Sequence, residues 1–378
     1  MKKYKLKNCC NFIDYRGKTP EKSEDGYRLI TAKNVKPLGY CDDPKEYIPI
    51  ESYESVMVRG IPRVGDILFT TEAPLGNVGR IPEFTKPFAV GQRLIVIQPN
   101  EELLDYQYMV YKLRSNSFQE ELLRHSSGST VRGIRSKELI EIEIEFPELL
   151  EQKKVSKVFS VLERIIETRK IELLQLDDLI KARFVELFGL PVSNSMKWKT
   201  DKMQKVAPSQ NYLGEMPERV WLLNLDMVES QTGRIIDYLI VSKDEVGNST
   251  CIFDDSTVLY SKLRPYLNKV VIPKMCGYAT SELVPLKPNI SILNREYLAY
   301  LLRSDEFVSM ISEKVAGAKM PRVSMGDFRN FDVPIPPMEL QEQFASFVEQ
   351  IDKSKFAVQK ALDEAQTLFD SLMQEYFG

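Results

Sequence analysis

The chain is written twice. Residues 1–189 and 190–378 both close on Phe-Gly, at Phe188-Gly189 and Phe377-Gly378, after a Pro-containing strand pattern and a long helical pattern. From Leu94/Leu283 to those ends, matching residues stay 189 apart without a gap, as in Pro99/Pro288, Tyr108/Tyr297, Leu113-Arg114-Ser115/Leu302-Arg303-Ser304, Phe118/Phe307, Pro147/Pro336 and Gln152/Gln341. Further back, small insertions shift the offset, yet Gly65-Asp66-Ile67-Leu68-Phe69 still matches Ser256-Thr257-Val258-Leu259-Tyr260, and Tyr4-Lys5 faces Trp198-Lys199. A register held over that length is an internal duplication, and a chain of two like units suits a target that is itself in two parts.

Length agrees with the repeat, because 378 residues exceed what one core serves and two domains of about 150 residues are the natural division. Hydrophobic residues at 43% and charged residues at 28% describe an ordinary globular chain, with no run near the ~18 apolar residues of a membrane span. Met1-Lys2-Lys3-Tyr4-Lys5 runs into Cys9-Cys10 without an apolar signal region, so a cytoplasmic location is expected. The five cysteines show no C-x-x-C spacing and are read as reduced thiols, not as a metal site or a disulfide frame. A single histidine, His125, leaves little room for histidine catalysis or a multi-histidine metal centre. The net charge of −3 decides nothing about nucleic acid, which responds to local basic patches.

Each half begins as a mixed α and β unit. Tyr27–Ile30, Asp66–Thr70 and Arg93–Ile97 are β-prone runs bounded by Gly, Pro or Asn, and the spacing from Glu101 to Leu123 predicts a helix. Ile142–Pro147 and Phe331–Pro336 alternate like edge strands. The last ~40 residues of each half carry a seven-residue repeat. In the first half Val155, Leu162, Arg169, Leu176 and Arg183 interleave with Phe159, Ile166, Leu173, Ile180 and Leu187. In the second, Phe344, Ile351, Val358, Ala365 and Leu372 interleave with Val348, Lys355, Leu362, Phe369 and Tyr376. Helices of about 60 Å outrun the domains they follow, so they are expected to pack on each other. The expected architecture is duplicated α+β domains at 1–147 and 191–336, with helical spacers at 148–190 and 337–378 forming an antiparallel coiled coil about a pseudo-twofold axis.

No phosphate-binding G-x-x-x-x-G-K-[ST] loop is present, Gly76-Asn77-Val78-Gly79 is too short for a dinucleotide loop, and Ile335-Pro336-Pro337-Met338 lacks the flanking groups of an amino-methyltransferase motif. Glu151-Gln152-Lys153 resembles the end of a nuclease metal motif, but at a helix start it reads as a terminal charge on a solvated face. No catalytic, cofactor or metal residue is therefore assigned. What remains is a set of loops rich in residues that contact bases and phosphates. In the first half these offer Arg16, Lys18, Lys33, Asn34, Lys36, Thr70, Thr71, Asn77, Gln92, Arg93, Ser129, Thr130, Arg132 and Arg135. In the second they offer Gln231, Arg234, Ser261, Lys262, Arg264, Tyr266, Asn268, Lys269, Ser281, Lys319 and Arg322. The halves diverge most in these loops while the residues around them match, as expected of a duplicated reader of two different sequences.

Gly65 through Gly79, the Gly128-Ser129-Thr130 loop leading to Ile142–Pro147, the following Glu151-Gln152, and the second copy, Val333-Pro334-Ile335-Pro336-Pro337-Met338-Glu339-Leu340-Gln341, together carry a family resemblance. In their order the chain resembles the specificity subunits of type I DNA restriction-modification systems over essentially its whole length. The resemblance implies two target-recognition domains, each reading half of a bipartite double-stranded DNA site, with paired helices setting the unread spacer. It also implies binding to two methyltransferase subunits, recruitment of motor-nuclease subunits, and no catalysis in this polypeptide. Glu145-Phe146-Pro147-Glu148 stands where the second half has Pro334-Ile335-Pro336-Pro337, so the two domain-to-helix joints are expected to differ in rigidity. A protein scaffold whose coiled coil is the functional element is the alternative reading.

Overall fold

The computed structural model describes residues 2–15, 20–91, 93–128, 130–316 and 320–378. The chain forms two compact units that do not follow its order, the first made of Met1–Arg169 with Ala361–Gly378 and the second of Lys170–Lys360. Mixed helix and strand content and the two long helices, Leu149–Phe188 and Met338–Phe377 of 40 residues each, bear out the expected fold class.

In the first unit, Cys10–Asp14, Leu94–Pro99, Ile67–Thr71 and Leu75–Arg80 form an antiparallel sheet in that spatial order. A smaller sheet orders Glu46–Ile48, Tyr27–Ile30 and Phe88–Val90, with the last pair parallel. The second unit repeats the scheme. Leu283–Leu286, Val258–Ser261 and Val270–Val271 pair antiparallel, and Arg219–Leu223 runs parallel to Gly277–Thr280 in the other sheet. The alternating Ile142–Pro147 run becomes the strand Glu143–Phe146, paired only with Lys2–Lys5, and Asp332–Pro334 pairs with Thr200–Lys202.

The helix expected over Glu101–Leu123 is two helices, Tyr106–Arg114 and Asn116–His125. Ser115 breaks it because its hydroxyl caps the second by accepting from Phe118 N at 3.3 Å. Ser304 does the same for Phe307 N, also at 3.3 Å. Apolar spacing continues through the break, which is why periodicity alone missed it.

One buried amide fastens each long helix to its unit. Gln152 is fully buried, accepts from Asp105 N at 2.9 Å and donates to Leu103 O and Pro147 O, each at 2.8 Å. Gln341 is fully buried, accepts from Asn294 N at 2.8 Å and donates to Ile292 O at 3.1 Å and Pro336 O at 2.8 Å. The solvated face expected for Glu151-Gln152-Lys153 thus holds for the two charged residues but not for the glutamine, whose amide completes backbone groups that water cannot reach. Despite their different sequences, the two domain-to-helix joints carry the same three hydrogen bonds.

Aromatic side chains then fix helix direction within each unit. In the first, Phe159 lies 5.2 Å from Phe369 and 5.7 Å from Phe377, between ring centroids. In the second, Phe184 and Phe188 each lie 5.5 Å from Phe344. The start of one helix meets the end of the other in both, so the helices run antiparallel, and the heptad apolar positions face inward. Lys355 and Asp177 form an ion pair inside the seam of the second unit, the kind of polar pair that selects one register.

A cross-strand link differs between the units at positions 98 and 287, which are 189 apart. Gln98 Nε2 donates to Asp66 at 2.6 Å, and burial pushes the Asp66 carboxyl up. Lys287 Nζ donates to Asp254 at 2.8 Å. Burial also acts upward on Asp254, but hydrogen bonds from Lys287, Ser256 and Thr257 outweigh it and hold the carboxyl at about 2. The folded value lies below the unfolded one, so the stabilisation is present above pH ~4 and is lost as pH falls toward ~2. Thermal unfolding between those pH values should show this loss, and Asp254→Asn should flatten it; an unchanged slope would remove the ion pair from the account.

Removing the pinning amide strands one buried N–H and two buried carbonyls. Gln152→Ala or Gln341→Ala should therefore lower the stability of its unit by about 2–4 kcal/mol, read by urea unfolding. A loss below about 0.5 kcal/mol would mean that water replaces the amide at no cost.

Candidate nucleic-acid interface

The loops singled out in sequence converge on one joint in each unit. Where the strand Ile67–Thr71 ends, Thr71 N donates to Arg93 O at 3.0 Å while Thr71 O accepts from Ile134 N at 3.0 Å. Where Val258–Ser261 ends, Lys262 N donates to Glu282 O at 3.0 Å and Lys262 O accepts from Val323 N at 2.9 Å. A β-bridge closes each joint, Glu72 with Gly133 in the first and Leu263 with Arg322 in the second. The strand end, the following loop and the returning segment thus meet in the same backbone pattern twice, although their side chains differ.

Of the first-unit candidates, Lys36, Thr130, Arg132 and Arg135 are exposed. Lys33 is exposed and pairs with Glu46 at 3.0 Å, and Arg93 pairs with Glu72 at 3.2 Å. Asn34 is fully buried, accepting from Thr31 N and donating to Cys41 O and Pro44 O, each at 3.0 Å, so its amide shapes the loop and presents nothing at the surface. Thr70 and Thr71 are buried as well. Thr70 accepts from Asn77 N at 2.8 Å, and Asn77 Nδ2 donates to Val35 O at 2.9 Å, which ties the Leu75–Arg80 strand to the loop carrying Lys33 and Lys36. Arg16, Lys18, Gln92, Ser129 and Lys319 lie outside the described residues.

In the second unit Arg264, Tyr266, Ser281 and Arg322 are exposed and Lys262 half-buried. Arg264 N donates to Pro321 O at 2.8 Å, drawing its loop onto the segment that carries Arg322. Ser261 and Asn268 are buried in the loop frame, with Asn268 Nδ2 donating to Arg303 O at 2.9 Å. Lys269 Nζ donates to Leu225 O at 2.8 Å, and burial pulls its ammonium down. Gln231 Nε2 donates to Tyr266 O at 2.9 Å, joining two candidate loops. Arg234 is held by Glu229 at 2.9 Å and reaches Gln359 at 3.3 Å.

Backbone strain collects in the same places. Arg93, Gln231, Arg264 and Asn268 have φ of 64°, 70°, 49° and 49°, left-handed values that cost a side-chain-bearing residue free energy and persist where surrounding contacts impose them. Burial and strain at these loops could not be read from composition. Residues missed in sequence are Glu72 and Glu282, which pair with the joint arginines; their signal was adjacency to Thr71 and Ser281, obscured because acidic residues repel a polyanion. Among the described residues no cluster of three or more metal-binding side chains occurs, and no helix is long and apolar enough to cross a membrane.

Two α+β units of one plan, each bearing a strained and cationic loop joint and part of an antiparallel helix pair, define a duplicated recognition protein. The model of the type I restriction modification DNA specificity domain matches the chain twice, over residues 54–176 and 227–365, and the chain belongs to that family. It is 23% identical over 358 residues to the type I restriction enzyme EcoDI specificity subunit of Escherichia coli, covering 84% of this chain and 78% of that protein. It is 24% identical over 368 residues to the MjaIX specificity subunit of Methanocaldococcus jannaschii, covering 88% and 81%. The fold matches the type I restriction-modification S subunit from M. genitalium with a TM-score of 0.60 at 17% identity, over 100% of this chain and 96% of that one. A chain solved in work on complex assembly and conformational transition of the type I R-M system gives 0.58 at 17% identity, over 100% and 97%.

Proposed function

We propose that the chain is the non-catalytic DNA-specificity subunit of a type I restriction-modification complex, working in the cytoplasm. In this reading residues 1–147 and 191–336 are the target-recognition domains, each reading half of a bipartite duplex, and 148–190 and 337–378 set the unread spacer. The observation that carries it is the repeated joint, in which one backbone pattern holds different side chains in the two halves. Sequence is read by side chains at base edges while backbone and phosphate contacts fix register, so this is the division a two-sequence reader requires. The exposed cations around each joint supply the sequence-independent attraction to phosphates.

The helices have a second role in this reading. Val158, Val161 and Ile165 lie exposed at three- and four-residue spacing on the first helix, an apolar face suited to a protein partner. We assign that face to methyltransferase subunits, two per chain, with motor-nuclease subunits joining the assembly so formed. Chemistry on DNA then belongs to the partners.

Competition binding with duplexes altered in one half-site at a time tests the modular reading. Arg264→Ala or Lys262→Ala should weaken recognition of a single half-site by about 1–3 kcal/mol, and binding should fall steeply with salt. Equal loss at both half-sites, or salt-independent binding, would contradict it. Adding one heptad to both long helices should lengthen the preferred spacer and leave both half-site sequences alone; an unaltered spacer would remove the helices' role as a ruler.

A further inference from the structure

Positions 93 and 282 occupy the same point of the repeated joint and carry opposite charges. In the first unit the residue there is Arg93, whose Nε lies 3.2 Å from Glu72 Oε1. In the second it is Glu282, whose Oε1 accepts from Arg322 Nη2 at 2.8 Å and Nε at 3.3 Å, with Oε2 3.3 Å from the same Nε. Each joint therefore presents one arginine held by one carboxylate, but from a different corner: the loop in the first unit, the returning segment in the second. The arginine side chains are 55% and 46% exposed, so both are open to a ligand.

A guanidinium reads guanine through two parallel N–H groups, which works only if its plane is set beforehand. Glu282 engages the Nε and Nη2 edge of Arg322 and leaves Nη1 out of the pair, which fixes the plane without consuming every donor. The Arg322 hydrogen bond holds the Glu282 carboxyl below the usual range, so the pair is ionised at neutral pH. A carboxylate at a phosphate-binding surface opposes binding unless it does something other than meet phosphate. Orienting the neighbouring arginine is such a task, and the two joints accomplish it with the charges exchanged.

We propose that Glu72 and Glu282 are positioning residues for sequence specificity, each aiming one arginine, Arg93 or Arg322, at a base edge in its own half-site. The inference rests on the DNA-reading function proposed above. The exchanged corners mean that the arginine contact falls at a different base position in each half-site.

Selection of bound duplexes from a randomised pool by the full chain, followed by sequencing, tests this. Arg322→Ala and Glu282→Gln should flatten the preference at the same base-pair position of one half-site by about ten-fold, leaving the other half-site unchanged. Arg93→Ala and Glu72→Gln should do likewise in the other half-site. Glu282→Asp, which keeps the charge but withdraws it, should fall between wild type and Glu282→Gln. A purely structural link would instead alter affinity for all sequences alike. If Glu282→Gln keeps the wild-type preference while Arg322→Ala loses it, or if neither variant changes it, the positioning role is overturned. Absence of any selected sequence with the wild-type chain would instead sink DNA reading itself.

Discussion

Each long helix depends on one amide. Gln152 and Gln341 sit at the first turn of their helices with no exposure, each closing three hydrogen bonds to the backbone of its own globular part. A buried amide with all partners satisfied cannot be tilted or slid without leaving a donor or acceptor unpaired. The direction in which each helix leaves its strand is thereby set. From that fixed start the heptads bring Phe159 to Phe377 in one unit and Phe188 to Phe344 in the other, and the antiparallel pairing follows.

The same economy governs the loops. Two backbone hydrogen bonds and one β-bridge define each joint, and none of them depends on which side chain is present. Side chains at the joint are free to vary, and they do: Arg93 against Glu282, Gly133 against Arg322, Thr71 against Lys262. Buried polar residues such as Asn34 and Asn268 do the structural work behind them, holding loops by backbone-directed bonds. The scaffold and the variable residues are thus different sets of atoms, which lets a duplicated protein change what each half recognises without refolding.

The period-3.5 seams and the alternating edge strands were legible because they follow backbone geometry, and the heptad residues do face inward. Gln152 and Gln341 were visible as a matched pair, yet their burial was not, since a glutamine beside Glu151 and Lys153 looks solvated until the partner carbonyls are known. Ser115 was hidden by continuous apolar spacing across the break it causes. Among the candidate contacts, sequence distinguished residue types but not roles: Asn34, Thr70, Thr71, Ser261 and Asn268 share the chemistry of exposed readers and are buried. Glu72 and Glu282 were passed over because their charge has the wrong sign for DNA, and only the geometry shows which arginine each one holds.

The most direct test of the central claim is selection from randomised duplex DNA by the wild-type chain in its assembled complex. The account predicts two short, different specific sequences separated by a stretch of fixed length and no preference. A single uninterrupted sequence, or two specific sequences at freely variable separation, would contradict it.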